Sequence, residues 1–433
     1  MEVCGEEGMA GREITLKNCR YVVRDHKVIE ENIDILIEGR YIVDIGRGLG
    51  GGDEIDCREA IVLPGIVNAH THAAMWIFRG LFDRGELHEW LKNVNKAEEK
   101  LTPRIVYLAS KIAMLEMLSN GITAFVDMYY FPEETLKAVK ETGIRAALGP
   151  VLTDEVVEEG ESEKLVKSFI EKTKGFSRIK TVVNVRSLYS VSPETIREAS
   201  KLTQKYDLDI HMHVSETRRE IYLCKKRTGL FPVEYLNSLG VLNKRFILAH
   251  LGWVTSWELS LIKDKNASIV HCPASDMKLA TAGFFPLRES LDFGINVGLG
   301  TDGAASNNSL DMFREMKVAV LLQRNNYWRT DIGERDVFRM AIENGYRILN
   351  IKGGVIEKNN VADLVLLDVK DLNLNPLSRR NVLSNIVYSA NGNNVIATFV
   401  GGEIVYHREQ KEAIYHSITD TLEEIQECIN EIA

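Results

Sequence analysis

The chain runs to 433 residues, enough for two or three average domains or for one large barrel with an appended module. Hydrophobic residues make up 45% and charged residues 27%, which excludes a disordered chain; 53 Lys and Arg against 62 Asp and Glu leave a net charge of −9, which argues against nucleic acid as a partner. The 6 cysteines form no C-x-x-C pair and read as reduced thiols, and no secretion signal or uncharged apolar run of membrane-spanning length occurs, so a cytoplasmic protein is expected.

Up to about residue 60, short runs such as Ile14-Thr-Leu, Tyr21-Val-Val, Ile33-Asp-Ile-Leu-Ile and Tyr41-Ile-Val alternate apolar and polar residues between turn signals, which predicts a small sheet. From Ile61 the rhythm changes to apolar runs separated by longer stretches with helical periodicity. Eight strands are predicted: Ile61 to His70, Ile122 to Met128, Arg145 to Leu152, Thr181 to Leu188, Leu208 to Val214, Phe246 to His250, Ser268 to Cys272 and Ile295 to Gly300. Eight such units predict an α/β protein built on a (β/α)8 TIM barrel rather than a doubly wound sheet, which usually stops at about six strands. Beyond Gly353, the runs at Ala362-Asp-Leu-Val-Leu-Leu, Asn385-Ile-Val-Tyr, Val395-Ile-Ala-Thr-Phe-Val and Glu403-Ile-Val-Tyr read as strands again. They are expected to join the N-terminal strands in one small β-sandwich, because isolated short strands are marginal without partners. The expected division is therefore 12–60 with 354–410 as the composite β domain, 61–353 as the barrel, and 411–433 as a C-terminal helix centred on Ile418 to Ile432.

The strongest chemical signal is Leu63-Pro-Gly-Ile-Val-Asn-Ala-His-Thr-His72, an apolar strand ending in His70 and His72. Side chains two apart on a strand share a face, so both imidazoles can reach one ion. A second pair, His211 and His213, recurs at that spacing on the fifth strand, although the chain has only 10 histidines. Glu216 follows His213 by three residues, near an ion yet outside its ligands, where a carboxyl can shuttle a proton between water and substrate. His250 ends the sixth strand and Asp302 follows the eighth, and ionisable groups at the C-terminal ends of barrel strands lie where this fold builds active sites. His271, on the seventh, is a weaker candidate for the same mouth, whereas His26, His88, His407 and His416 read as surface positions.

Taken together, Pro64-Gly-Ile-Val-Asn-Ala-His-Thr-His, the His213 to Glu216 pair, His250 and Gly300-Thr-Asp-Gly-Ala-Ala-Ser-Asn-Asn308 resemble the amidohydrolase superfamily. Within it the likeness is to methylthioadenosine/S-adenosylhomocysteine deaminases and their chlorohydrolase relatives. The resemblance implies that His70, His72, His213 and Asp302 hold one divalent ion, zinc first and iron second, and that Glu216 and His250 are catalytic. Binuclear members bridge two ions with a carboxylated Lys at the end of the fourth strand. Here that segment reads Thr181-Val-Val-Asn-Val-Arg-Ser-Leu-Tyr, and a guanidinium cannot form the carbamate, so a single metal is expected.

The implied reaction is metal-dependent hydrolytic deamination of an aminated purine or purine nucleoside. Asp302 takes a proton from water, Glu216 protonates the ring nitrogen beside the attacked carbon, and His250 polarises the attacking oxygen. Trp90 and Glu98 match the family's aromatic wall and ribose-binding carboxylate, and Arg186 stands where these deaminases carry a histidine against the purine. The third-strand loop, Leu148-Gly-Pro-Val-Leu-Thr-Asp-Glu-Val-Val-Glu-Glu-Gly160, is acidic and lacks arginines that would grip a homocysteine carboxylate. A neutral 5′-substituted adenosine such as methylthioadenosine is thus a better candidate than S-adenosylhomocysteine. The alternative is hydrolysis of another aminated or halogenated heterocycle of guanine, pterin, cytosine or triazine type. A small molecule is the expected partner. The sequence is silent on homo-oligomers.

Overall fold

Gly65 divides what reads as one long strand into two: Ala60–Pro64 joins a sheet made by the chain ends, and Ile66–Thr71 opens the barrel. A Cβ at Gly65 would stand 2.2 Å from the Thr123 hydroxyl and 2.7 Å from that of Tyr346, so only glycine lets the chain pass between the two layers. The computed structural model describes residues 12–84, 87–281 and 284–432.

The barrel consists of Ile66–Thr71, Ile122–Asp127, Arg145–Leu148, Ile179–Ser187, Asp209–Val214, Phe246–His250, Ser268–His271 and Asn296–Leu299, each paired in parallel with the next. These runs are short and almost wholly buried on both faces, which is why they read as continuous apolar stretches. Helices follow the strands with strong start signals. Thr102 caps a helix with Pro103 in its first turn, Ser192 and Pro193 do the same, and Thr255 with Glu258 forms a capping box. The seam between the eighth and first strands is closed partly by side chains. Thr301 N donates to Asn68 Oδ1 at 2.9 Å, Asn68 Nδ2 donates to the Thr301 hydroxyl at 2.7 Å, and Asp302 N donates to His70 O at 3.0 Å. A Cβ on Gly300 would lie 2.8 Å from both His70 N and His70 O, so this glycine permits the two functional strand ends to abut.

The chain ends meet as expected. Strands Glu13–Val23, Ile29–Glu38, Tyr41–Gly46, Asp53–Asp56, Ala60–Pro64, Leu364–Asp368, Val395–Val400 and Glu403–His407 form one mostly antiparallel sheet, with Leu364–Asp368 laid along Ala60–Pro64. The sheet folds over on itself: Ile42 N donates to Asn360 O at 3.0 Å, and Ile14, Leu16, Ile35 and Ile37 pack with Val62, Leu364, Leu366 and Phe399 in one core. Strand alternation sends neighbouring residues the other way. Ile61, Leu63, Val365 and Leu367 belong to the core shared with the barrel.

Two local expectations change. Residues Val382–Tyr388 are a helix, not a strand: Val382, Leu383, Ile386 and Val387 are buried at helical spacing, and short β-branched runs do not distinguish the two states. His26 is not a surface residue. Only 15% of its side chain is exposed, and its Nδ1 pairs with Glu343 across the joint between terminal sheet and barrel. The C-terminal helix, Thr419–Ile432, packs Ile425 and Leu422 against the layer that holds Phe78, Trp90 and Val94, with an Arg104–Glu424 ion pair at 3.1 Å beside it. Among the described residues, no helix is long and apolar enough to cross a membrane.

Candidate active site

The strand ends bring His70, His72, His213 and Asp302 together at the C-terminal rim. One ring nitrogen from each of the three histidines lies within 4.8 Å of the others. Asp302 Oδ1 stands 3.5 Å from His70 Nε2 and 3.3 Å from His72 Nε2. The far side of each outer ring is already engaged: His72 Nδ1 donates to Met128 O at 2.5 Å and His213 Nδ1 to Arg186 O at 2.6 Å. Their Nε2 lone pairs therefore face the centre. His70 Nε2 is buried with no hydrogen-bond partner.

The donor chemistry suits a divalent cation. Burial lowers the pKa of all three histidines, that of His70 to about 4, so they present neutral imidazoles. For Asp302, burial pushes upward, yet its surroundings, the cationic His250 among them, hold the carboxylate well below its ordinary range and ionised. Its Oδ2 accepts from the Ser275 hydroxyl at 2.5 Å and from Ser306 at 3.0 Å, leaving Oδ1 toward the imidazoles. Asp302 and His250 both adopt left-handed backbone, with φ of 59° and 75°, a conformation that non-glycine residues rarely keep without surrounding support.

Glu216 lines the same cavity. Burial raises its carboxyl to about 7, with Asp302 and Asp276 adding to the effect and His250 and Arg186 opposing it. Its turn is held by Glu220, whose two oxygens accept from Ser215 N and Glu216 N, both at 2.9 Å. His250 packs face to face with His213, ring centres 5.3 Å apart. Burial disfavours its charged form, yet Glu216, Asp276 and Asp302 overcome that and lift its pKa to about 10. Asp276 Oδ1 accepts from His250 Nδ1 at 2.9 Å, which turns Nε2 of that ring away from Asp276.

Asp276, Glu220 and Asp127 went unremarked in the sequence. Asp127 ends the second strand and accepts from Ala73 N at 2.7 Å, so the criterion that found Asp302 applied equally to it. Asp276 and Glu220 sit within short helices, where nothing in the local pattern marks a buried acid. His271 is buried against the Phe285 ring, 4.6 Å between centres, and is not among the residues lining the cavity. The side chain of His88 lies outside the described residues.

The cavity runs from the histidine cluster past Met75, Trp90, Leu91, Met128, Tyr129 and Leu279. Its wall is mainly apolar. Trp90 and Glu98 both face into it; Trp90 Nε1 and Glu98 Oε1 are buried without a hydrogen-bond partner, and burial raises the Glu98 carboxyl. Arg186 lines the wall and donates to Tyr130 Oη at 2.9 Å and to Asn95 Oδ1 at 3.2 Å, both neutral acceptors. The third-strand loop, which carries no arginine, contributes Val151 to the cavity wall. Asp154, from that loop, instead braces the cap of a neighbouring helix by accepting from Ser192 N at 2.7 Å and from the Thr195 hydroxyl at 2.6 Å. The lysine nearest the fourth strand's tip in sequence, Lys180, sits at the strand's opposite end and donates to Leu349 O at 2.9 Å.

Beneath the rim, Glu315 ties the loops after the seventh and eighth strands, accepting from Ala274 N at 3.3 Å and Asn307 Nδ2 at 2.7 Å. Burial raises its pKa to about 8, against 4.5 for an ordinary glutamate carboxyl. The folded chain thus keeps a proton that the unfolded chain releases above about pH 4.5, and stability falls as pH rises from there to 8. This group alone contributes a slope of up to about 1.4 kcal/mol per pH unit. Melting temperatures measured from pH 5.5 to 8.5 should decline less steeply in Glu315→Gln than in the wild type, and equal slopes would remove Glu315 as the cause.

The profile of the amidohydrolase family matches residues 61–405. A 5′-deoxyadenosine deaminase from Methanothrix thermoacetophila is 37% identical over 414 residues, covering 94% of this chain and 96% of that one. A 5-methylthioadenosine/S-adenosylhomocysteine deaminase from Pyrococcus horikoshii is 39% identical, covering 86% and 90% respectively. Among solved structures, a zinc-bound adenosine deaminase from Xanthomonas campestris superposes with a TM-score of 0.90 at 26% identity, covering 97% of this chain and 98% of the other. A zinc-bound atrazine chlorohydrolase from Arthrobacter aurescens shares the fold, with a TM-score of 0.88 at 22% identity over 96% of this chain and all of that one.

Proposed function

The chain belongs to the amidohydrolase family, and from that premise we propose how it acts: it is a hydrolytic deaminase of adenosine derivatives, releasing ammonia. The observation that carries the mechanism is the convergence of three histidines, Asp302 and Glu216 on one mainly apolar cavity.

His70, His72, His213 and Asp302 would hold one divalent ion, zinc by preference. When bound, such an ion acidifies water and polarises it for attack. Asp302 Oδ1 receives the proton of the attacking water. Glu216 delivers a proton to the ring nitrogen beside the amino-bearing carbon, so that electrons from the attacked bond settle on a neutral nitrogen. The cationic His250, steadied by Asp276, stabilises negative charge developing on the attacking oxygen. The proton held by Asp302 then passes to the amino group, which leaves as ammonia, while the proton remaining on the attacking oxygen moves to Glu216 as the carbonyl forms.

Glu98 would accept from a sugar diol, since a carboxylate offers only acceptors, while Trp90 walls the ring. Arg186 would donate to an acceptor on the substrate, its present partners being neutral and exchangeable. The apolar wall and the arginine-free acidic loop favour a small neutral 5′ group such as methylthio or hydrogen over a zwitterionic homocysteine. The reduced cysteines suit a cytoplasmic setting.

Zinc-loaded protein incubated with 5′-deoxyadenosine, methylthioadenosine, S-adenosylhomocysteine, guanine, cytosine and an aminated triazine should release ammonia fastest from the first two. Their kcat/KM should exceed that for S-adenosylhomocysteine by about tenfold or more. Preference for S-adenosylhomocysteine would overturn the 5′-group assignment, and turnover of the triazine or guanine alone would overturn the nucleoside assignment.

A further inference from the structure

We propose that Asn184 and His211 form a buried relay that fixes the tautomer of His70 and so prepares one arm of the metal site before any ion arrives. The inference rests on the reading that His70, His72 and His213 hold a cation, and it adds the residues that make His70 ready for that task.

The chain of hydrogen bonds can be followed atom by atom. Asn184, on the fourth strand, is anchored through its nitrogen: Nδ2 donates to Gly149 O at 2.9 Å and to Asp127 O at 3.3 Å. Backbone carbonyls only accept, so this end of the amide is the NH2 group and Oδ1 is the atom that faces His211 Nδ1, 3.0 Å away. His211 must therefore carry its proton on Nδ1, which leaves Nε2 of the neutral ring as an acceptor. That Nε2 lies 2.7 Å from His70 Nδ1. His70 is then the donor, protonated on Nδ1, and its Nε2 keeps a lone pair directed at the site.

Three features make the relay a built device. Asn184, His70 and His211 are each 0% exposed, so no bulk water can replace a missing partner. Asn184 and His211 are direct register partners on adjacent parallel strands, which fixes their spacing through the backbone. The third strand pauses at Gly149, where a Cβ would stand 1.7 Å from Val182 O, and this lets the Gly149 carbonyl serve as the anchor. The other two histidine ligands lean on backbone oxygens, from Met128 and Arg186; His70 alone among them depends on side chains. Asn184 and His211 are positioning residues, and the change they control is metal affinity rather than contact with substrate.

Two measurements test this on the full-length protein. With ring-15N histidine in the metal-free state, His70, assigned by its loss in His70→Ala, should show the Nδ1–H tautomer; an Nε2–H tautomer would overturn the relay. In zinc competition against a chromophoric chelator, His211→Leu, with fold checked by circular dichroism, should bind about 10- to 100-fold more weakly than wild type. His211→Gln should stay within about threefold, because its Nε2 can donate to Asn184 and its Oε1 accept from His70. Wild-type affinity in His211→Leu would overturn the proposal. If that variant does not fold, a loss of about tenfold or more in His211→Gln does so instead. Should the wild type bind no zinc, the metal reading fails on its own account and the tautomer spectrum alone decides the relay.

Discussion

Glu216→Gln should retain the wild-type zinc content and lose about 10²- to 10⁴-fold in kcat. The side chain is isosteric and its turn is secured from elsewhere, since Glu220 accepts from the backbone nitrogens of Ser215 and Glu216. Zinc content should hold because the imidazoles and Asp302 converge without a contact from residue 216. What disappears is a dissociable proton. Burial places the Glu216 carboxyl at about 7, close to the pH at which a group can both hold and release a proton, and an amide has no such equilibrium. Steady-state kinetics alongside metal analysis separates the outcomes: full turnover in the variant refutes the assignment, and loss of zinc would show that Glu216 shapes the ligand cluster instead.

Removal of the cation should have the larger effect. Protein dialysed against a strong chelator should release no ammonia above background and recover on addition of one equivalent of zinc, while its far-ultraviolet circular dichroism stays the same. Free water, with a pKa of about 15.7, yields almost no hydroxide at neutral pH, and neither Asp302 nor Glu216 is basic enough to generate it alone. The fold should survive because the three imidazoles are neutral, and two of them retain hydrogen bonds to backbone oxygens of their own. Undiminished activity after stripping would end the hydrolytic mechanism proposed above. The recovery also counts ions: the end of the fourth strand offers Arg186, and a second tightly held equivalent would contradict a single-metal site.

The barrel and the ends of its strands were legible because each strand is a short apolar run, and the ionisable residues that terminate those runs stand out against them. His70, His72, His213, His250 and Asp302 all came from that contrast, and the structure brings them to one rim. Residues that act from behind them were not. Asp276 belongs to a six-residue helix whose burial is set by the whole barrel, and Asn184 looks like any polar residue in a strand until its register against His211 is known. The helix Val382–Tyr388 was misjudged for a related reason. The run Asn385-Ile-Val-Tyr is too short to show a period, and only the wider set of buried side chains, Val382, Leu383, Ile386 and Val387, packed against the helix Met312–Tyr327, has helical spacing. The break at Gly65 is hidden too, because both halves of Ile61 to His70 are fully buried and only the layers they enter differ.

The alternation along Ala60–Pro64 and Leu364–Asp368 has an engineering consequence. Odd-numbered side chains in the first strand and in the second insert toward the barrel, Val365 resting on Gly121 and Thr398 of the next strand donating to Leu118 O at 2.7 Å. An excised barrel would therefore carry a bare greasy floor, and an excised sheet would lose half its lining. The loops above the rim are the portion that can be exchanged to redirect specificity, whereas the strands of the terminal sheet, none of which lines the cavity, are inseparable from the scaffold that supports it.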